Sequence, residues 1–218
     1  MGCPPDPVEV DLSRGNTNSV ALKEKADKLI NELVRSANFF SSICKQFQQD
    51  VSEETNALAK RIVHDSTKFN TEDLGKTFDW NDFPQENSMY PNMSVLYEHL
   101  SESEKKVKSI EISLCICRHH LLQTITLIGP EKLSVSDQDV FKEEYNLHLE
   151  HRRDDKSTKL KVLEQDISGN RWIIKNEYKR YSEIQIKKAE EEIPLLEAEK
   201  RRIEAISDSE LLNDRDLF

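Results

Sequence analysis

Three observations predict an all-α protein. The 218 residues include only 5 glycines and 7 prolines, so residues that break helices are scarce. Charged residues make up 33% of the chain and hydrophobic residues 36%, a balance typical of long helices with narrow apolar stripes. Apolar residues also recur three or four positions apart along most of the chain, which is the spacing of one helical face. We therefore expect elongated helices that pack along their stripes.

The first long helix is predicted to begin near Ser19, a possible N-cap, and to run for about 50 residues without glycine or proline. The stripe has one gap, near Thr55. Its members are Leu22, Ala26, Leu29, Leu33, Ala37, Phe40, Ile43, Phe47, Val51, Leu58 and Ile62. Residues 1–18 precede this helix and contain three prolines, so we expect a flexible lead.

The stretch 69–92 interrupts the helical pattern with Gly75 and two prolines. It also carries three aromatic residues, Phe78, Trp80 and Phe83. One interpretation is a loop that binds a protein partner through these rings. The other is a connector whose rings pack against the helices, and we favour it because aromatic residues in polar loops often serve as packing anchors.

A second helix is predicted from near Asn92 to Ile128, because its apolar residues repeat at near-heptad spacing. These residues are Val107, Ile110, Leu114, Cys117, Leu121, Ile125 and Ile128. Gly129-Pro130 should end or sharply kink it. A cap candidate at Ser134–Ser136 then restarts the helical pattern at Asp137.

The last helical stretch is predicted to run to Ile206 through Gly169, with a kink at Pro194. Its stripe contains Leu160, Leu163, Ile167, Ile174, Tyr178, Tyr181, Ile193, Leu196 and Ile203. Upstream, Glu150–Lys159 has no apolar residue. Either the helix continues there with nothing to pack on, as at the tip of a bundle, or a turn joins two helices. We interpret this segment as a tip or hinge and residues 207–218 as a frayed acidic tail.

The net charge of −10 is unevenly distributed. Residues 105–188 carry +4, whereas the segments before and after them carry −8 and −6. Cations cluster from Arg152 to Lys161 and again from Lys175 to Lys188. On an exposed helix such cations attract an anionic membrane, at about 1 kcal/mol each near the surface. The alternative is an ordinary solvated helix face. We expect no nucleic-acid partner, because an acidic protein is repelled by the phosphate backbone.

One cluster of potential metal ligands occurs, at Cys115, Cys117, His119 and His120. On a helix Cys115 and His119 share one face and the other two lie on another, so a tetrahedral zinc site is not expected. The sequence has no glycine-rich phosphate loop, nucleophile elbow or metalloprotease motif. We expect a non-enzymatic protein without cofactor or metal. An enzyme using Cys117 and His120 would require thiol or metal reactivity.

One helix of about 50 residues, an irregular connector and two further long, kinked helices resemble a BAR domain over roughly residues 19–206. The likeness is greatest to the sorting-nexin type, through Leu163-Glu-Gln-Asp-Ile167 followed by Ile174-Lys-Asn-Glu-Tyr-Lys-Arg-Tyr181. The resemblance implies an elongated antiparallel three-helix coiled coil that forms homodimers or related heterodimers. It also implies binding to curved, anionic membranes. The expected lipid-binding residues are Arg152, Arg153, Lys156, Lys159, Lys161, Lys179 and Arg180.

The resulting functional hypothesis is a curvature-sensing dimerisation module in membrane trafficking. We expect it in the cytoplasm, peripheral on endosomal or other intracellular membranes that carry anionic lipids such as phosphoinositides. The alternative is a coiled-coil scaffold subunit of a tethering, cytoskeletal or centrosomal complex that does not bind lipid. That alternative accommodates the acidic net charge better, and it leaves a protein partner possible at the 69–92 connector.

Overall fold

The computed structural model describes residues 13–79, 98, 100–176 and 181–212. These residues contain α-helices and no β-strand, so the all-α prediction is confirmed. The helices are α1 (Ser13–Gln46), α2 (Glu53–Ser66), α3 (Glu102–Ile128), α4 (Val135–Lys175), α5 (Glu183–Ala205) and α6 (Asp208–Leu211). Short 3-10 turns lie at Thr71–Asp73 and Pro130–Lys132. The chain divides into two compact units, of which one holds α1 to α3 and the other holds α4 to α6.

The predicted first helix is two helices. It begins at Ser13 rather than near Ser19 and ends at Gln46, and α2 starts after a turn. Ser52 caps α2, because its hydroxyl accepts a hydrogen bond from the backbone N–H of Thr55 at 3.2 Å. Two glutamates in the first turn further favour a helix start there. The gap in the apolar stripe near Thr55 marks this new start.

The apolar stripes of α1 and α3 form the core of the first unit. On α1 the buried stripe residues are Ala26, Leu33, Ala37, Phe40 and Ile43. On α3 all seven predicted stripe residues, Val107 to Ile128, are buried. Ile112, Cys115 and Leu122 are buried as well, so α3 is covered over more of its circumference than one stripe requires. Helix α1 packs against both α2 and α3.

Helix α3 begins about ten residues later than the predicted start near Asn92, at Glu102. Ser101 and Glu104 form a capping box, in which the Glu104 carboxylate accepts from the Ser101 backbone N–H at 2.9 Å. The predicted end is confirmed, since α3 stops at Ile128. Gly129 follows with φ of +100°, a conformation that glycine adopts at little cost.

In the second unit, α4 runs for 41 residues, from the Ser134 cap to Lys175. It passes through Glu150–Lys159 without interruption, so the alternative of a continuing helix is correct and a turn or hinge there is wrong. The helix also does not continue to Ile206. Asn176 ends it, and a second capping box at Ser182 and Gln185 starts α5.

Helices α4 and α5 are antiparallel neighbours. Glu164 pairs with Lys200 at 2.8 Å, and Arg171, further along α4, pairs with Glu197 at 2.7 Å. The chain therefore reverses within the stretch from Leu160 to Ile203 that was predicted as one kinked helix, and α4 and α5 form a helical hairpin. Pro194 lies inside α5 at an exposed position, and the helix continues past it to Ala205.

The hairpin core is formed by residues of the predicted stripe, facing one another across the two helices. Leu163 and Ile203 are buried together with Leu211 of α6. Leu160, Leu196 and Ile206 pack partly buried around them. Of the remaining stripe residues, Ile167 is buried, Ile174 is half-buried and Tyr178 lies outside the described residues. The stripe thus predicts which residues are buried although it does not predict the chain reversal.

An ion pair joins α1 to α3 beside the core of the first unit. Arg118 donates to the Glu32 carboxylate at 3.0 Å, and the Arg118 side chain is only 4% exposed. Lys28 also approaches this carboxylate, at 3.9 Å, but is 78% exposed. The stability of a protein with a buried guanidinium depends on the carboxylate that pairs with it, because removal of the carboxylate leaves a buried charge without that compensation.

We predict that Glu32→Ala lowers the free energy of unfolding by about 3 kcal/mol, because Arg118 then keeps its burial but loses this carboxylate. Lys28→Ala is the matched control on the same carboxylate and should cost less than about 1 kcal/mol. Urea unfolding followed by circular dichroism measures both. Equal losses in the two variants would contradict the prediction.

Burial raises the pKa of the Cys44 thiol to about 11 from its ordinary 9.0. The folded chain therefore keeps its thiol proton at pH values where the unfolded chain has lost it. The contribution of the Cys44 thiol to the free energy of unfolding is therefore fully present below pH 9 and is lost as the pH rises from 9 to 11. We predict that the wild type loses about 2 kcal/mol more than Cys44→Ala across this range. Urea unfolding at both ends of the range tests this, and parallel curves would refute it.

Candidate functional site

Five of the seven predicted lipid-binding cations lie in the middle of α4, and the first of them is buried. Arg152 is 2% exposed, and its Nε donates to the backbone carbonyl of Leu211 at 2.9 Å. That carbonyl is at the C-terminal end of α6. The Arg152 guanidinium is thus bound within the second unit rather than presented to solvent.

Arg153 and Lys156 contact the same end of the chain. Arg153 donates to the Asp208 carboxylate through Nε at 3.1 Å and also through Nη2. This hydrogen bond lowers the pKa of Asp208. Lys156 Nζ donates to the carbonyls of Glu204 and Ile206, at 3.0 and 2.8 Å, where α5 ends. A cation is favoured there because helix C-termini carry partial negative charge.

Of the other four predicted residues, the two that the structure describes do not join this group. Lys159 is half-buried, and Lys161 is exposed. The hydrogen bond from Arg202 lowers the pKa of Glu199, and the charge of Lys159 acts in the same direction. Lys179 and Arg180 lie outside the described residues. The structure therefore describes no single patch made of all seven predicted cations.

Residues 207–212, which we name the strap, are ordered rather than frayed as the sequence predicted. Ser207 immediately precedes α6, and its backbone N–H donates to the Glu210 carboxylate in the first turn at 2.8 Å. Leu211 is 1% exposed in the hairpin core. The signal for this element was the Ser207-x-x-Glu210 spacing, which is a capping box, followed by two leucines. The rest of the tail, 213–218, lies outside the described residues.

The end of the hairpin where α4 stops and α5 starts combines exposed apolar side chains with lysines. The rings of Trp172 and Tyr181 meet edge to face, with centroids 5.8 Å apart. Trp172 is nevertheless 50% exposed and Ile184 is 81% exposed. We name this surface the hairpin end; it consists of Trp172, Lys175, Tyr181, Ile184, Lys187 and Lys188. Trp172 and Ile184 were missed by sequence reasoning, and Tyr181, predicted to be core, is half-buried against Trp172.

The hairpin end is locally basic. Residues 171–188 contain six lysines and arginines and two glutamates. Lys187 and Lys188 pair with Glu191 and Glu192 one helical turn away, at 3.9 and 3.5 Å. Both pairs are solvent-exposed, so each contributes little and leaves its lysine able to exchange partners. Cations around exposed aromatic and aliphatic groups are typical of surfaces that bind at a membrane interface.

A groove of about 400 Å³ lies between α4 and α5. Its charged lining consists of Glu164, Arg171, Glu197, Lys200, Arg201 and Glu204. Most of these charges already pair with one another across or along the helices, as Arg171 does with Glu197 and Lys200 does with Glu164 and Glu204. The groove is therefore a seam of matched charges and provides no unbalanced charge to attract a ligand.

The cysteine–histidine cluster lies on α3, where Cys115, Cys117 and His119 are buried. The His119 and His120 rings are 5.6 Å apart and nearly perpendicular. Within the part of the chain that the structure describes, no group of three histidine, cysteine, aspartate or glutamate side chains is arranged to hold a metal ion. In the 69–92 connector, the Phe78 backbone N–H donates to the Glu102 carboxylate at the start of α3, whereas Trp80 and Phe83 lie outside the described residues.

A scan against protein-family models and searches of curated proteins and of solved structures return no match for this chain. The described helices include none that is both long and apolar enough to cross a bilayer.

We predict that Lys156→Met lowers the free energy of unfolding by about 1 kcal/mol, because the carbonyls of Glu204 and Ile206 lose a charged donor. Methionine retains the apolar stem, so packing changes little. Lys161→Met, at an exposed position on the same helix, is the control and should leave the unfolding curve unchanged. The prediction fails if the two variants unfold at the same urea concentration.

Proposed function

We propose that this protein is a non-enzymatic helical module that binds anionic membrane surfaces reversibly through the hairpin end. The observation that carries the proposal is the exposure of Trp172 and Ile184 among the lysines of that surface. Lysines near an anionic surface each contribute about 1 kcal/mol. Tryptophan adds affinity because its ring is favourably accommodated at the level of the lipid headgroups.

The proposed surface differs from the one predicted from sequence. Arg152, Arg153 and Lys156 contact the strap and the end of α5, so they are less able to bind phosphate groups. Lys179 and Arg180 lie outside the described residues and are not part of the proposed surface as defined. Lys159 and Lys161 lie further along α4, outside the hairpin end, and we expect them to contribute less to membrane binding.

Dimerisation, curvature sensing and a role in endosomal trafficking belong to this proposal too. The antiparallel α4–α5 hairpin supports the BAR-like arrangement, in which antiparallel helices form an elongated coiled coil. Helix α4 alone, with 41 residues, is about 62 Å long, which suits an extended assembly. Small-angle scattering of the purified protein tests this part: a dimer about 150 Å long supports it, and a compact monomer excludes it.

The second candidate is a scaffold subunit that binds protein partners and no lipid. It is favoured by exposed apolar side chains outside the hairpin end, namely Leu127, Val135 and Leu195, which are 86%, 78% and 70% exposed. The net charge of −10 also suits protein partners better than membranes. Under this hypothesis the lysines of the hairpin end are ordinary solvated residues.

Vesicle co-sedimentation distinguishes the two candidates. We predict binding to phosphatidylcholine vesicles that contain phosphatidylserine, weak binding to phosphatidylcholine alone, and loss of binding as salt shortens the Debye length from about 30 Å at 0.01 M to about 3 Å at 1 M. Trp172→Ala should weaken binding about tenfold, equivalent to about 1.4 kcal/mol. Val162→Ala, an exposed apolar position on α4 outside the hairpin end, is the matched control.

Charge reversal provides the complementary measurement. The double variant Lys187→Glu/Lys188→Glu should abolish binding to the anionic vesicles while circular dichroism stays unchanged, because both side chains are exposed. Undiminished binding by this variant and by Trp172→Ala would reject the hairpin end as the contact surface. No binding by the wild type at low salt would reject membrane binding itself and favour the scaffold.

A further inference from the structure

We propose that the strap is an autoinhibitory element that competes with the membrane for Arg152 and Arg153, an inference that rests on the membrane-binding function proposed above. With the strap bound, these two cations are engaged within the second unit. With the strap released, they become available to anionic headgroups and extend the basic surface of α4. The equilibrium between the bound and the released strap would thus determine what fraction of the molecules binds membranes with the higher affinity.

The strap contacts both of these cations directly. Arg152 donates to the Leu211 carbonyl, and Arg153 forms a two-point contact with the Asp208 carboxylate. Lys156 donates to the carbonyls of Glu204 and Ile206, which precede the strap. Two adjacent cations of α4 therefore recognise one short acidic segment. Lipid phosphates present the same chemistry, oxygen acceptors with negative charge, and can replace it.

The strap has the features of an element that opens locally. Helix α6 has four residues, well below the length at which a helix is stable alone. Ser207 to Glu210 are exposed, and the one strap side chain that is fully buried is Leu211. An element with few buried contacts opens at a small fraction of the global unfolding free energy. Loss of the Leu211 contact alone should therefore shift the strap towards its open form.

Release changes the local charge in favour of anionic ligands. The strap brings two carboxylates, those of Asp208 and Glu210, to the side of the unit that carries Arg153. Opening removes these carboxylates from α4 and leaves Arg153 without its Asp208 contact. A membrane binds the open form more tightly, so it shifts the population towards that form by its difference in affinity.

The test compares Leu211→Ser, which opens the strap without a change of charge, with Leu212→Ser as its matched control. Leu212 is the neighbouring leucine and is half-buried outside the hairpin core cluster. Amide hydrogen exchange of residues 207–212, measured without vesicles, reports opening directly. Leu211→Ser should raise the exchange rates and bind phosphatidylserine-containing vesicles at least about threefold more tightly than the wild type. Leu212→Ser should match the wild type.

A second variant keeps the test valid if Leu211→Ser does not fold. Asp208→Asn removes the carboxylate that Arg153 contacts, and Asp154→Asn, at an exposed position beside Arg153, makes the same change of charge as a control. Asp208→Asn should increase vesicle affinity more than Asp154→Asn does. Equal increases in vesicle affinity would mean that the change in net charge alone is responsible, and they would contradict the inference that the strap is inhibitory.

The outcomes separate this inference from the function on which it rests. If the exchange rates rise but vesicle affinity does not, the strap is not inhibitory, while membrane binding through the hairpin end stands. If neither the wild type nor the open variants bind anionic vesicles, both ideas fall. If Leu211→Ser leaves hydrogen exchange of 207–212 unchanged, the Leu211 contact does not hold the strap closed, and the inference is overturned.

Discussion

The contacts of Arg152, Arg153 and Lys156 with the end of α5 and with α6 are the interaction on which the second unit depends. Between Glu150 and Lys159, α4 has no apolar side chain with which to pack. Carbonyls at helix C-termini lack partners within their own helix and carry partial negative charge. Guanidinium and ammonium groups satisfy them, so a charged stretch of α4 can pack against the end of the hairpin. The buried Arg152 is compatible with this arrangement because its Nε has a carbonyl acceptor at 2.9 Å.

These contacts also separate two kinds of cation on one helix. Arg152, Arg153 and Lys156 in the middle of α4 are held by groups of the same unit, whereas Lys175 at its end is exposed. Sequence charge alone does not make this distinction, because every lysine or arginine counts equally there. The difference arises from the position of the chain reversal, which brings the strap beside Arg153 and leaves Trp172 and Ile184 at the opposite end of the hairpin. The proposed membrane-binding surface is therefore chosen by which cations are exposed and not by where cations are most frequent in the sequence.

Much of the burial could be predicted from the sequence, and the ends of the helices could not. The stripe residues Leu163, Ile167 and Ile203 are buried as their spacing predicts, since a period of 3.6 identifies the face that leaves water. The same period continued across the breaks at Ser52 and Ser182, where capping residues start new helices. A stripe does not identify the partner that covers it, so one long helix and a hairpin have the same pattern. The strap contacts join residues more than 50 positions apart, such as Arg153 and Asp208, and no local pattern reports them.

The acidity of the whole chain does not by itself oppose binding of its basic end to a membrane. At physiological ionic strength the Debye length is about 8 Å, so an exposed charge acts mainly on its immediate surroundings. Glu197 lies ten residues beyond Lys187 on α5, about 15 Å along the helix axis, and is paired with Arg171. Glu191 and Glu192 are nearer, but their exposed pairs with Lys187 and Lys188 are weak enough for lipid phosphates to replace them. The surface charge within about 8 Å of Trp172 and Ile184 therefore determines the attraction at physiological ionic strength, and the more distant carboxylates are largely screened.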